Sequence, residues 1–175
     1  MYPYTTYKAQ RLSDVKAEDV LAAQNDEQNE INDERGDMSE NDVMIKNMMK
    51  DAIKDKSEMA SYYARLARTI HDENDSDIIH GMHLEELKHK KMLMDMYNDM
   101  FESEAEIFTE ENGISQNMIY EFEKSMYEEI KTAQYLRKLY FYFMNLGVRD
   151  YLYEIMTDDM AQAVKLSHLY SKYNK

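Results

Sequence analysis

Glu86 and His89 stand three residues apart in the spacing Glu-x-x-His, within a segment whose pattern is helical. A carboxylate and an imidazole at this spacing share one face of a helix, one turn apart, so both can reach the same metal ion. Acidic helices also produce this spacing by chance, and a solvent-facing pair is the alternative interpretation of the motif taken alone. Whether the two residues face the interior or the solvent depends on the helices that carry them.

The composition of the 175-residue chain predicts an all-α protein. Gly occurs four times and Pro once, which leaves too few turn-forming residues for the many tight turns of a sheet protein. Met occurs 16 times, and Leu, Ala, Glu and Lys are also abundant helix formers. Cys is absent, so disulfides, thiolate chemistry and Cys-ligated zinc sites are excluded.

Charge and hydropathy argue against two kinds of partner. The formal net charge of −14 disfavours nucleic acid and anionic membrane surfaces, both of which are bound through basic patches. No apolar run approaches the roughly 18 residues that a membrane-spanning helix needs. The first residues carry neither the basic start nor the apolar run of a secretory signal, so a cytoplasmic location is expected.

The chain divides into a tail and a bundle. Residues 1–38 are poor in large apolar side chains and rich in Asp, Glu, Asn and Gln, and they are predicted to form an acidic, largely disordered tail. Residues 39–175 carry apolar residues at spacings of three and four, which is typical of amphipathic helices. The first predicted helix begins near Ser39 or Asn41 and ends around 72–75. The other three are predicted to cover about 76–101, 115–145 and 149–173.

Two local signals support these boundaries. Ser76 is a natural N-cap for the second helix. Gly147, after Asn145 and Leu146, is predicted to end the third helix by supplying a left-handed turn.

The lengths of the connections predict the topology. Short turns join the first helix to the second and the third to the fourth, so each pair is expected to form an antiparallel hairpin. The middle connection, residues 102–114, is long enough to run the length of the bundle. The sequence thus predicts a four-helix bundle in the ferritin-like arrangement, two hairpins joined by one long crossover.

An internal repeat relates the two hairpins. A shift of 73 residues aligns them without a gap, and Ala60, Tyr62 and Tyr97 then fall on identical residues. The repeat predicts a pseudo-twofold axis between the hairpins.

Polar residues interrupt the inward apolar stripe of each helix near its middle, and the burial of so many polar groups requires partners. The inward polar set is Lys56, Glu86, His89, Glu129, Asp159 and Gln162.

Residues 45–173 resemble a rubrerythrin-type protein of the ferritin-like superfamily. The first half of the resemblance is carried by Ala52-Ile53, Tyr63, Leu66-Ala67, Glu85-Glu86-Leu87-Lys88-His89 and Met96-Tyr97. The second half is carried by Phe122-Glu123-Lys124, Glu128-Glu129 and Asp158-Asp159-Met160-Ala161-Gln162.

The resemblance implies a carboxylate-bridged di-iron centre with a degenerate ligand set. The family places Glu on the first and third helices and Glu-x-x-His on the second and fourth. This chain keeps Glu86, His89 and Glu129 and shortens one carboxylate to Asp159, and these four are the expected metal ligands. Lys56 and Gln162 stand at the other two ligand positions, and neither side chain is a good iron ligand. Asp55 and Glu58 are alternative carboxylates on the first helix, but their positions turn them away from the seam.

Two functional classes remain open. In one, the protein has a weak or lost metal site, and the Lys56 ammonium takes the place of a metal as the cation among the carboxylates. In the other, it binds iron in a di-iron or partial site and acts as an oxidase or peroxidase on Fe(II), O₂ or H₂O₂. The lack of Cys excludes a rubredoxin-like domain.

Two further histidines, His80 and His83, precede Glu86 on the second predicted helix, and they are interpreted as surface residues.

The resemblance and the helical faces also suggest a partner and a location. Self-association through bundle faces, as a homodimer, is expected. The start Met1-Tyr2-Pro3-Tyr4 resembles that of small ferritin-like proteins of spore-forming bacteria, so spore association is an alternative to a purely cytoplasmic location.

Overall fold

The computed structural model describes residues 38–110 and 113–175, and within these ranges the chain is all-α, as predicted, with no strand. The predicted 1–38 tail lies outside the described residues, apart from Met38. No helix in the described ranges is long and apolar enough to cross a membrane. The four helices are α1 (Glu40–Ala67), α2 (Glu73–Phe101), α3 (Met118–Tyr140) and α4 (Leu146–Tyr173).

The N-terminal caps fix where the helices begin. Ser39 caps α1, because its hydroxyl accepts a hydrogen bond from the amide of Asp42 at 3.1 Å. The Asp42 carboxylate in turn accepts from the Ser39 amide at 3.3 Å, which completes a capping box. The prediction of Ser76 as the cap of α2 is wrong. Asp72 caps this helix instead, and Ser76 lies in its first turn, where its hydroxyl donates to the Ala67 carbonyl at 2.9 Å.

The predicted boundary between the third and fourth helices is also wrong. α3 ends at Tyr140, and Asn145 is the N-cap of α4, accepting a hydrogen bond from the Val148 amide at 3.2 Å. Gly147 lies inside α4, and no glycine in the described ranges has a positive φ. Asn is favoured at the N-cap of a helix and is also found just after the C-terminal end of one. The segment 145–147 can therefore mark the start of a helix as well as the end of one.

Hydrogen bonds between helices establish their directions. α1 and α2 are antiparallel, because Ala67 bonds to Ser76 near the turn and Ser57 bonds to Lys90 further from it. α1 is also antiparallel to α3, since Tyr62 bonds to Glu121, Asp55 to Thr132 and Asp51 to Tyr135. α2 and α4 are antiparallel by the same criterion, with bonds from Asp75 to Lys172 and from Lys88 to Glu154.

The connection between α2 and α3 is a crossover along the bundle. Both helices run antiparallel to α1, so they run in the same direction and the chain between them has to return the full length of the bundle. On the way it passes α1, where the Glu110 amide donates to the Glu58 carboxylate at 2.9 Å. The predicted arrangement of two antiparallel hairpins joined by one long crossover is confirmed.

Two apolar clusters fill the bundle, one on each side of its middle. One contains Ile45, Met49 and Leu152, and the other contains Leu66, Met82 and Phe122. Each cluster draws side chains from all four helices, which is what holds the hairpins together. The charged and amide side chains predicted for the inner seam lie between the two clusters.

Candidate metal or ion-pair centre

The six predicted seam residues are all buried in the middle of the bundle, with at most 1% of each residue exposed. Each stands in the apolar stripe of its helix, one or two turns from large core side chains, so the packing of the stripes brings the six together. The expectation that they meet in one layer is confirmed by the contacts described below. We refer to this set as the buried polar layer: Lys56, Glu86, His89, Glu129, Asp159 and Gln162.

The ammonium group of Lys56 lies among the three carboxylates. Its Nζ is 2.6 Å from Asp159 Oδ1, 3.1 Å from Glu86 Oε2 and 4.0 Å from Glu129 Oε2. All four side chains are shielded from water, so the attraction between the opposite charges is strong and is little screened by salt. The expected pairing of Lys56 with these carboxylates is thus present.

His89 and Gln162 occupy equivalent positions on α2 and α4, and each makes one equivalent contact to the facing helix. His89 Nδ1 is 3.2 Å from Glu86 Oε1, and its Nε2 is 3.1 Å from Asp158 Oδ2. Gln162 Nε2 donates to Glu86 Oε1 and to Glu85 Oε2, both at 3.1 Å. Glu85 and Asp158 are related by the same 73-residue shift, so the bonds from His89 to Asp158 and from Gln162 to Glu85 are equivalent under the repeat.

Tyr63 on α1 completes the surroundings of Glu129. The Tyr63 side chain is fully buried, and its hydroxyl donates a hydrogen bond to Glu129 Oε1. A second hydrogen-bonded group lies next to it, in which Tyr62 donates to Glu121 at 2.6 Å and accepts from Ser125 at 3.0 Å. Both groups connect α1 to α3, which belong to different hairpins.

The direction in which each pKa is shifted indicates which side chains of the layer are ionised. Burial alone would lower the pKa of Lys56, but the carboxylates of Glu86, Asp159 and Glu129 outweigh burial and raise it above its usual value. Burial would raise the pKa of Glu86, but Lys56 and His89 hold it below its usual value. Lys56 is therefore a cation and Glu86 an anion at neutral pH.

The pKa values of the other titratable groups in the layer are also shifted. Burial raises the pKa of Glu129 well above its usual value, with repulsion from Glu86 and Asp159 acting in the same direction and Lys56 acting against it, so this carboxyl holds its proton more tightly than an ordinary Glu. Burial raises the pKa of Asp159 to about 6. Burial would lower the pKa of His89, but its hydrogen bond and attraction to Glu86 raise it. The Lys56 ammonium thus supplies positive charge beside these carboxyl groups without a metal ion.

The donor set does not fit a dinuclear metal centre. One group of three ligands is close enough for a single ion: atoms of Glu86, His89 and Asp159 lie within 4.8 Å of one another. A second ion would need Glu129 and a carboxylate on α1, and α1 supplies the Lys56 ammonium there instead. Asp55 does not replace that carboxylate, because its side chain accepts a hydrogen bond from Thr132 at 2.7 Å, outside the layer.

Three carboxylate oxygens of the layer accept no hydrogen bond, namely Glu86 Oε2, Glu129 Oε2 and Asp159 Oδ2. Buried acceptors are normally satisfied, and orphaned ones of this kind are what a metal site leaves when its ion is absent. Here the first of them faces Lys56 at ion-pair distance, and Lys56 Nζ also binds the other oxygen of Asp159. The ammonium thus supplies the positive charge that these oxygens require.

The sequence pattern had not singled out Glu85, Asp158 or Tyr63 as members of the site. Glu85 and Asp158 are paired by the repeat, and this was the signal that could have identified them. Tyr63 lies in the apolar stripe of α1, where a tyrosine is normally a core residue, so only the structure reveals its bond to Glu129.

Comparisons with protein-family models, with curated proteins and with solved structures find no significant match to this chain.

Proposed function

We propose that this protein is a rubrerythrin-type ferritin-like bundle whose metal centre has degenerated, so that metal binding is weak or lost and an internal ammonium group stabilises the carboxylates. On this proposal the bundle serves as a structural or interaction protein. The observation that carries the proposal is the position of Lys56 Nζ, 2.6 Å from Asp159 and 3.1 Å from Glu86 in a layer closed to solvent.

The energetic argument concerns competition between Lys56 and a metal ion. A divalent ion at Glu86, His89 and Asp159 would lie within a few ångströms of the ammonium group. Two like charges about 4 Å apart at an effective dielectric constant of about 20 repel by about 4 kcal/mol per unit charge product. A difference of about 1.4 kcal/mol already changes affinity tenfold. Binding of an ion at this position therefore requires Lys56 to leave the layer or lose its proton.

The alternative function is a metal-binding oxidase or peroxidase acting on Fe(II), O₂ or H₂O₂. The triad of Glu86, His89 and Asp159 favours it, because the three ligands are close enough for one ion and all are buried. A bound iron ion would supply the redox chemistry. The chain would contribute the two carboxylates and the imidazole, and His89 would be oriented by the Asp158 carboxylate.

Metal analysis separates the two functions. The full chain, purified without chelators, would be loaded with Fe(II) in air, passed through a desalting column and analysed for iron by mass spectrometry. The first function predicts well below one iron per chain, and loading of one or two irons per chain with tight retention would contradict it. His89→Gln is the matched control, since any iron retained by that variant is not held by the triad.

We also propose that the bundle self-associates through its outer faces. Leu146, Tyr153 and Met160 follow one another at seven-residue intervals on α4, and they are 72%, 60% and 48% exposed, with Val164 beside them 69% exposed. Apolar residues at this spacing form the stripe by which one helix packs on another, and an identical stripe on a second copy is the complementary surface. Light scattering of the full chain should give a dimer that Tyr153→Lys dissociates, and a monomer at every concentration would contradict the proposal.

A further inference from the structure

A pair of histidines in the described part of the chain lies outside the buried polar layer, on the flank of the first hairpin. A cavity of about 240 Å³ opens between the end of α1 and the first turns of α2. His80 and His83, two of the five histidines of the chain, line it from α2 at a spacing of one helical turn. Their rings have centroids 5.7 Å apart.

His83 is held in one orientation by the backbone of α1. Its Nδ1 is 2.8 Å from the carbonyl oxygen of Ala60. A carbonyl can only accept, so Nδ1 is the nitrogen that carries the hydrogen, and Nε2 of the neutral ring has a free lone pair. This is the arrangement in which a metal-ligating histidine is normally held, with one nitrogen donating to a carbonyl and the other binding the ion.

The separation of the two rings fits a shared ion. With metal–nitrogen distances of about 2.0–2.1 Å, each ring centroid lies about 3.2 Å from the ion, and tetrahedral geometry then places two centroids about 5.2 Å apart. The observed 5.7 Å differs from this by about half an ångström, which a small side-chain rotation covers. His80 is exposed and free to make that rotation.

The charges around the cavity are mixed. Asp77, one turn before His80 on the same helix, lines the cavity and is exposed, but its carboxylate is not within 4.8 Å of both imidazoles, so it contributes negative charge and is not a ligand in this arrangement. Arg68 lines the cavity as well and opposes a cation. Imidazole ligands suit zinc, nickel and copper better than calcium or magnesium. We propose that His80 and His83 form a two-histidine binding site for one divalent transition-metal ion, independent of the buried polar layer, with solvent completing the coordination.

Zn²⁺ titration of the full chain, followed by calorimetry, tests this site. We expect one Zn²⁺ to bind outside the layer, and His80→Gln and His83→Gln each to weaken its binding at least about tenfold, because each removes one of the two protein ligands. Asp77→Asn should weaken the binding less, because it removes a nearby charge and not a ligand. His168→Gln, an exposed histidine on α4, is the matched control and should bind Zn²⁺ like the unmodified chain. Glu86→Gln should also retain this ion, because it changes only the layer.

Two further measurements make the result unambiguous. Circular dichroism should show that the variants keep their helices, since both side chains lie at the surface of the hairpin. Nitrogen-resolved NMR of the imidazoles should show Zn²⁺ shifting His83 Nε2 while Nδ1 stays protonated. The proposal is overturned if the unmodified chain binds no Zn²⁺, if the His80→Gln/His83→Gln double variant binds it equally well, or if His168→Gln weakens it as much as the other two.

Discussion

His89 Nε2 lies 3.1 Å from Asp158 Oδ2, a carboxylate on the facing helix that is itself only partly buried. Lys88 binds the same carboxylate oxygen from the solvent side, at 3.7 Å. The imidazole is therefore placed between an interior anion, Glu86, and an anion at the surface. This contact connects the interior of the layer to the outside of the bundle.

Lys56→Met should destabilise the protein strongly. The substitution leaves Glu86 and Asp159 in the interior without their closest cation, and removal of one partner from a buried ion pair typically costs about 3–5 kcal/mol. Urea unfolding would measure the change. Lys54→Met, a partly exposed position on the same helix, is the control and should change the free energy of unfolding by no more than about 0.5 kcal/mol. Equal stabilities of the two variants would show that Lys56 does not balance the layer.

Lys56→Glu combined with Gln162→His should create iron binding. The two changes replace the ammonium with a carboxylate and restore a second Glu/Asp-x-x-His pair on α4, beside Asp159. Absorbance changes on adding Fe(II) in air, together with iron content after desalting, would detect the new site. Lys54→Glu with Gln162→His makes the same change of charge outside the layer and should bind no more iron than the unmodified chain. Similar iron contents for the two double variants would contradict the assignment of Lys56.

Glu129→Gln should stabilise the protein increasingly as the pH rises from about 4.5 to 7. The pKa of Glu129 is raised by burial, so the folded state holds a proton that the unfolded chain releases above pH 4.5, and this lowers stability as the pH rises. Gln cannot release a proton, so the variant escapes this loss, which is about 1.4 kcal/mol per pH unit at most. Urea unfolding at pH 4.5, 6 and 7 would measure it.

Glu86→Gln is the matched comparison and should act in the opposite direction. The pKa of Glu86 is held below its usual value by Lys56 and His89 against the effect of burial, so its charge stabilises the fold above about pH 4.5 and that contribution is lost as the pH falls. The variant should therefore be less stable than the unmodified protein at pH 7. A stabilising effect of Glu86→Gln at neutral pH would mean that Glu129, and not Glu86, carries the charge.

Asn145→Ala should destabilise the protein by about 1 kcal/mol, because the side chain caps α4 through its bond to the Val148 amide. Thermal unfolding would measure the effect. Asn47→Ala, at an exposed position inside α1, is the control and should be neutral or slightly stabilising, since Ala is the better helix former. A loss of stability at Asn47 as large as that at Asn145 would contradict the assignment of the cap.

The sequence predicts the framework of this molecule well because helical periodicity and a gapless repeat act over long stretches. Both identify Lys56, Glu86, His89, Glu129, Asp159 and Gln162 as inward-facing. The helix ends are less predictable, since Asp72 and Ser76 are both good caps and only the contact between Ser76 and Ala67 decides between them. The raised pKa of Glu129 and the hydrogen bond from Tyr63 also depend on three-dimensional proximity. Neither can be read from spacing.

The equivalence of Lys56 and Glu129 under the 73-residue repeat has a consequence for how the two hairpins recognise each other. If the first hairpins of two molecules packed together, Lys56 and Glu86 of one copy would face the same residues of the other. A pair of second hairpins would bring Glu129 and Asp159 of both copies together with no ammonium group among them, which is costly in a closed interior. The halves are therefore complementary and not interchangeable, and this charge asymmetry selects the pairing of a first hairpin with a second one whenever segments exchange between molecules during folding.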